Sequence, residues 1–141
     1  MEYSAIFHDM DKRFCYAIEK DLFVIRVQVK KDDMKEIILH YEDKYIPMER
    51  EDTRKTIVMK KVATSQFHDY YEAQLQMHLI CLRYYFEFTD TQGEKIYYGN
   101  YEFSKECITN RDRMFDCPQN LREEEMFEVP DWAANKVVYQ I

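Results

Sequence analysis

Apolar and polar residues alternate along this chain in short stretches, and the period is two. In LFVIRVQVK, residues Phe23, Ile25, Val27 and Val29 share one face while Arg26, Gln28 and Lys30 share the other. That is the pattern of an antiparallel strand with one face in a core. KEIILHYE and KTIVMKKVA each read as a further strand. FHDYYEAQLQM sets Tyr71, Ala73, Leu75 and Met77 against His68, Tyr70, Glu72, Gln74 and Gln76, and CLRYYFEFTD turns Leu82, Tyr84, Phe86 and Phe88 inward. The turn DTQGEK carries Gly93 where positive φ is expected, and KIYYGNYEF returns as the other arm of a hairpin. With FCYAIEKD near the start, seven or eight strands follow at short intervals with no sustained 3.6-residue period. The expected fold is all-β, an immunoglobulin-like antiparallel β-sandwich rather than a small barrel.

After Phe103 the alternation stops. SKECITNRDRMFDCPQNLREEEMFEVPDW mixes charges with Pro118 and Pro130 and reads as an irregular C-terminal connector. Val137 to Ile141 are once more β-branched and aromatic, a strand-like run with no turn residue after it. The expected division is a sandwich over 1–115, a linker over 116–132 and the start of another unit over 133–141.

Composition narrows the possibilities. With only 2 glycines and 3 prolines against 16% aromatics in 141 residues, the chain is neither disordered nor low in complexity, and it suffices for one core. A net charge of −7, with basic residues gathered no further than isolated doublets such as Lys30-Lys31 and Lys60-Lys61, argues against nucleic acid and anionic membranes as partners. The opening MEYSAIFHDMDKRF lacks the apolar stretch of a signal peptide, and no apolar run reaches about 18 residues, so the expected compartment is the cytoplasm. Cys15, Cys81, Cys107 and Cys117 show no CxxC spacing and are expected as reduced thiols, with Cys107 and Cys117 the pair best spaced for a bridge if one forms.

Neutral ligands such as sugars are indifferent to the net charge, and they are met by flat rings beside carboxylates or amides. Two outward-facing groups offer both: Tyr70 with Glu72 and Gln74, and Tyr85 with Arg83 and Glu87. They make one patch if their strands pair directly; the alternative is cross-strand packing, or burial beneath a neighbouring domain. Tyr45, in YEDKYIPME, is expected on an exposed loop, either facing a ligand or covering the sandwich edge. The four histidines lack ligand spacing, and Asp9, Asp11 and Asp43 make no run of oxygen ligands, so neither a metal nor a cofactor is expected. No serine stands in a G-x-S-x-G context, and no catalytic residue is assigned.

The ending supplies a resemblance. F-x-x-PDW followed by V-x-YQI, carried by Phe127, Pro130, Asp131, Trp132, Val137, Tyr139, Gln140 and Ile141, stands behind AIFH, FCYAIEKDLFVIRVQVKKDD, DKY ending at Tyr45, FHDYYEAQL, LRYYF and GEKIYY. In this order and spacing the strings resemble the N-terminal domain, of carbohydrate-binding module family 34 type, of the neopullulanase, cyclomaltodextrinase and maltogenic amylase group of glycoside hydrolase family 13. The resemblance implies a non-catalytic accessory domain whose parent enzyme carries its two carboxylates on a (β/α)₈ barrel beginning at residues 133–141. It implies α-glucan oligosaccharide as ligand, whether maltodextrin, cyclodextrin or pullulan, with the barrel and a second subunit as partners. By the same resemblance Tyr45 reaches the other subunit's cleft. The competing expectation is a structural dimerisation domain without sugar affinity of its own.

Overall fold

A computed structural model describes residues 1–19, 22–45, 54–76, 81–117 and Trp132. Among them are ten strands and two short 3-10 turns: β1 Cys15–Glu19, β2 Leu22–Lys30, β3 Met34–Asp43, β4 Lys55–Val58, β5 Lys60–Thr64, β6 His68–Gln76, β7 Leu82–Asp90, β8 Lys95–Gly99, β9 Glu102–Ser104 and β10 Phe115–Asp116. Two antiparallel sheets form an immunoglobulin-like sandwich. Sheet I has the order β1-β2-β6-β5; sheet II has the order β4-β3-β7-β8-β9, with β10 also on β7.

Period-two alternation decides which side chains meet between the sheets. Register pairs Phe23 with Leu75, Ile25 with Ala73 and Val27 with Tyr71 in sheet I, and Ile37 with Phe88, Leu39 with Phe86 and Tyr41 with Tyr84 in sheet II. All of these but Tyr41, which packs half-buried at the margin, are buried in one cluster. Met77, expected on the inner face, lies outside the described residues, as do residues 133–141.

Three departures raise the strand count above the expected seven or eight. KTIVMKKVA is two strands, because the Met59 N–H donates to the Ile37 carbonyl at 2.8 Å in sheet II while Lys60 onward pairs with β6 in sheet I. The chain thus changes sheets at Met59, whose side chain is buried. KIYYGNYEF is a hairpin of its own, β8 and β9, turning through Asn100 and Tyr101 with φ of 44° and 64°. The supposed connector contains β10, and Phe115 sits inside an aromatic cage with ring centroids 5.3 Å from Tyr98, 5.6 Å from Tyr84 and 4.8 Å from His8. Cys117 is also in the core and its N–H donates to the Leu82 carbonyl at 2.8 Å, so Asp116 and Cys117 belong to the sandwich and not to a linker. Gly93 takes φ 89° in the β7–β8 turn, as expected.

His8 is buried beside this cage. A carbonyl can only accept, so Nδ1–H donates to the Arg26 carbonyl at 2.7 Å, and the remaining Nε2 lone pair accepts the Tyr84 hydroxyl at 2.9 Å. The ring is neutral and fully satisfied. Burial pulls its pKa down to about 4.

The sign follows from proton linkage. An unfolded histidine binds a proton below about pH 6.5, whereas the folded one does not until about pH 4, so the stability carried by neutral His8 is complete above the first value and disappears as pH falls towards the second. We expect about 3 kcal/mol of unfolding free energy to be lost over that interval, measured by urea titration at stepped pH. His8→Leu should be less stable at neutral pH yet nearly flat over the same interval; an unchanged slope would assign the acid sensitivity to other groups.

Candidate functional site

On the outer face of sheet I, register sets Arg26 of β2 opposite Glu72 of β6, and Gln28 opposite Tyr70. The Arg26 guanidinium donates to Glu72 Oε1 through Nε at 2.7 Å and through Nη2, and its carbon lies 5.9 Å from the Tyr16 ring centroid. Another guanidinium nitrogen reaches the Arg13 carbonyl at 3.3 Å. Glu72 is therefore a paired carboxylate held by its neighbour. Tyr70 is half-buried, with Gln28 and Ala63 as its cross-strand neighbours.

The change of sheets at Met59 opens a groove beside these residues. Once β5 parts from β6 beyond Lys60 and Glu72, a hollow of about 290 Å³ is left, lined by Ile57, Val58, Lys60, Val62, Glu72 and Gln74 together with Ala73. Val58 and Val62 are both exposed. Aliphatic surface beside an ammonium, a carboxylate and an amide suits a small amphipathic ligand whose hydroxyls find donors and acceptors at the rim.

Tyr85 is elsewhere. The expected single patch required β6 and β7 to pair, but they lie in opposite sheets. Tyr85 is 1% exposed: His40 stacks on its ring at 4.5 Å, Ile108 and Met114 cover it, and its hydroxyl lies 3.2 Å from Cys107 Sγ. The segment between β9 and β10 crosses the outer face of sheet II as a strap. It passes so close to Gly99 that a Cβ there would stand 2.3 Å from the Arg113 carbonyl oxygen. The strap's own apolar residues, Ile108 and Met114, were the available signal, though isolated among charges they show no period.

The polar neighbours of Tyr85 are engaged as well. Arg83 binds Asp116 through Nε at 2.8 Å and Nη2 at 3.1 Å, with Lys44 Nζ on the same carboxylate at 2.9 Å. Burial alone would raise the Asp116 carboxyl, but these cationic donors outweigh it and hold the group below its usual range. Glu87 takes His40 Nε2 at 2.9 Å and Lys95 Nζ at 2.6 Å.

Tyr45 stands at the end of β3. Its N–H donates to Asp43 Oδ1 at 2.9 Å, and the N–H of Lys44 donates to the Cys81 carbonyl at 2.9 Å, so the backbone is pinned while the residue is 66% exposed. An anchored backbone with an open ring can stack on a ligand at little ordering cost. Tyr45 lies in the turn just past β3 of sheet II, whereas Tyr70 and Glu72 lie on β6 of sheet I.

Two buried carboxylates, Asp69 and Asp90, hold turns. Asp69 accepts Lys61 Nζ at 2.6 Å, the Asp32 N–H at 3.0 Å and the Thr64 hydroxyl at 2.8 Å; Asp90 accepts the N–H groups of Gln92 and Glu94 at 2.9 and 2.8 Å. Both lie below the usual carboxylate range, the reverse of what a glycosidic general acid needs. Among the described residues no group of three or more His, Cys, Asp or Glu could hold a metal ion. No helix among them is long and apolar enough to cross a membrane.

Comparison with known proteins gives consistent matches. Residues 1–119 match the family described as "Alpha amylase, N-terminal ig-like domain". The chain is 31% identical over 137 residues to "Neopullulanase 2" of Thermoactinomyces vulgaris, covering 97% of this chain and 23% of that protein. Against "Maltogenic alpha-amylase" of Bacillus acidopullulyticus it is 30% identical over 137 residues, covering 97% and 23%. A solved structure of "Cyclomaltodextrinase" superposes with TM-score 0.80 at 30% identity, over 94% of this chain and 22% of that one. This chain thus spans less than a quarter of the length of the relatives it matches.

The two tyrosines first grouped together should respond differently to truncation. Tyr85→Ala empties a covered site and is expected to cost about 3–4 kcal/mol, whereas Tyr70→Ala, on the open face, should cost about 1 kcal/mol. Chemical denaturation of both variants measures this, and equal costs would mean the strap does not seal Tyr85.

Proposed function

Because the chain belongs to the family of alpha-amylase N-terminal Ig-like domains, we propose that it is a non-catalytic accessory domain of an α-glucan-degrading glycoside hydrolase, binding starch-like oligosaccharide and helping to shape the cleft of a dimer. One observation carries the sugar-binding reading: Tyr45 offers an exposed ring on a pinned backbone. The groove beside Glu72 and Gln74, with Tyr70 on the same face, supplies a second surface of fitting chemistry. Proteins similar to this chain carry names of maltodextrin- and pullulan-acting enzymes, which supports an α-glucan as the ligand class. The parent's catalytic carboxylates, on this reading, stand on the remainder of the enzyme.

A second reading keeps a specific observation in its favour. Two of the four residues expected to bind sugar are committed internally, Tyr85 beneath the strap and Glu72 to Arg26. A domain that only builds the dimer would show this pattern.

Electrophoresis of the chain through a native gel containing soluble starch separates the readings. Retardation relative to a starch-free gel is expected for a binding module, and unchanged mobility would favour the dimer-building role. In the full-length enzyme, Tyr45→Ala should raise KM or shift the preference between cyclodextrin and longer glucans by several-fold, as loss of an aromatic contact of about 1 kcal/mol implies. Thermal stability should be nearly unchanged. A destabilised enzyme with unaltered kinetics would remove Tyr45 from the ligand site.

A further inference from the structure

We infer that Cys15 and Cys117 are a latent disulfide site, which hydrogen peroxide converts into a covalent bridge between the two sheets. Cys15 opens β1 at the edge of sheet I, and Cys117 follows β10 on sheet II. Their Sγ atoms are 3.6 Å apart, and both side chains are buried in the same cluster between the sheets. A disulfide needs about 2.05 Å, so a combined approach of roughly 1.5 Å closes the bond, within the reach of side-chain rotation and a slight shift of an edge strand.

The other two cysteines are placed differently. Cys107 lies exposed on the outer face of sheet II beside Tyr85, which removes the pairing with Cys117 that sequence spacing had suggested. Cys81 is half-buried and touches the Cys117 carbonyl oxygen at 3.9 Å. Only Cys15 meets Cys117 sulfur to sulfur among these contacts.

The chemistry balances with one peroxide. The thiolate of one cysteine attacks an oxygen, breaking the O–O bond; a sulfenic acid forms and hydroxide leaves as water with the thiol proton. The second sulfur then attacks the sulfenic sulfur and expels the other oxygen as water. Two electrons pass from the sulfur pair to peroxide, two S–H bonds are lost and one S–S bond forms. Because the second thiol is already in contact, the sulfenic acid is captured before it oxidises further. The hydrogen bond to Cys117, and then burial, push the Cys15 thiol up, which makes the reaction slow in the closed state. Among the described residues β1 pairs only with β2, and its local opening is the natural route for peroxide to enter.

The bond would close a chain loop between positions separated by 102 residues. Such a closure removes much freedom from the unfolded chain, so the oxidised protein should melt about 5–15 °C higher.

The test treats the chain with hydrogen peroxide at mildly alkaline pH, blocks remaining thiols, and maps peptides by mass spectrometry without reduction, beside a thermal melt. The expected result is a Cys15–Cys117 linked peptide lacking two hydrogens, together with a raised midpoint that a reductant reverses. Cys117→Ser should lose both. Should that variant not fold, the double variant Cys81→Ser with Cys107→Ser keeps the question decidable, since it must still form the bridge. Oxidation confined to Cys81 or Cys107, a Cys81–Cys117 link, or a bridge that leaves or lowers the midpoint would each overturn the inference.

Discussion

Strand β7 is sealed on both faces, and the rest of the domain is arranged around that fact. Its inner residues, Tyr84, Phe86 and Phe88, make the aromatic half of the core, while its outer residues, Tyr85 and Glu87, are buried beneath the strap and its neighbours. β3 pairs along the whole of one edge, and the other edge is divided between β8 and, further along, β10. A strand buried so fully must have its backbone groups paired and its polar side chains matched. The ion pairs of Arg83 with Asp116 and of Glu87 with Lys95, together with the hydrogen bond between Glu87 and His40, meet that demand.

The N-terminal segment answers the same demand from the inner side. His8 accepts the Tyr84 hydroxyl and donates to a carbonyl of β2, joining the sheets through a neutral polar link in an apolar setting. In low dielectric such a link is strong only while every partner is present, so acid, by charging the ring, attacks the fold at its centre. Buried carboxylates at Asp69 and Asp90 do comparable work in the turns, where donors converge on them from the backbone.

What remains open to a ligand is defined by what the core does not claim. With Tyr85 sealed beneath the strap, the outer face of sheet I and the exposed Tyr45 just past β3 are two surfaces whose aromatic and polar groups suit sugars. One is on sheet I and the other follows a strand of sheet II. A second surface supplied by a partner therefore fits the proposed role better than one autonomous pocket would.

Alternation along the chain was enough to establish a β-sandwich and which residues of β2, β6 and β7 point inward, because side-chain direction is a local property of extended backbone. The turn at Gly93 was legible for the same reason, and the family resemblance lay in ordered short strings that need no contacts to be read. The exposure of Tyr45 followed from loop chemistry. The remainder was settled by contacts between distant parts of the chain. Whether KTIVMKKVA stays on one sheet depends on Met59 finding the carbonyl of Ile37, a partner distant in the chain. Whether Tyr85 is open depends on Ile108 and Met114 arriving from a segment without period. That Cys117 meets Cys15 rather than Cys107 depends on which side of β7 each one reaches. Each of these is a long-range contact, chosen by competition among surfaces that exists only once the sheets have met.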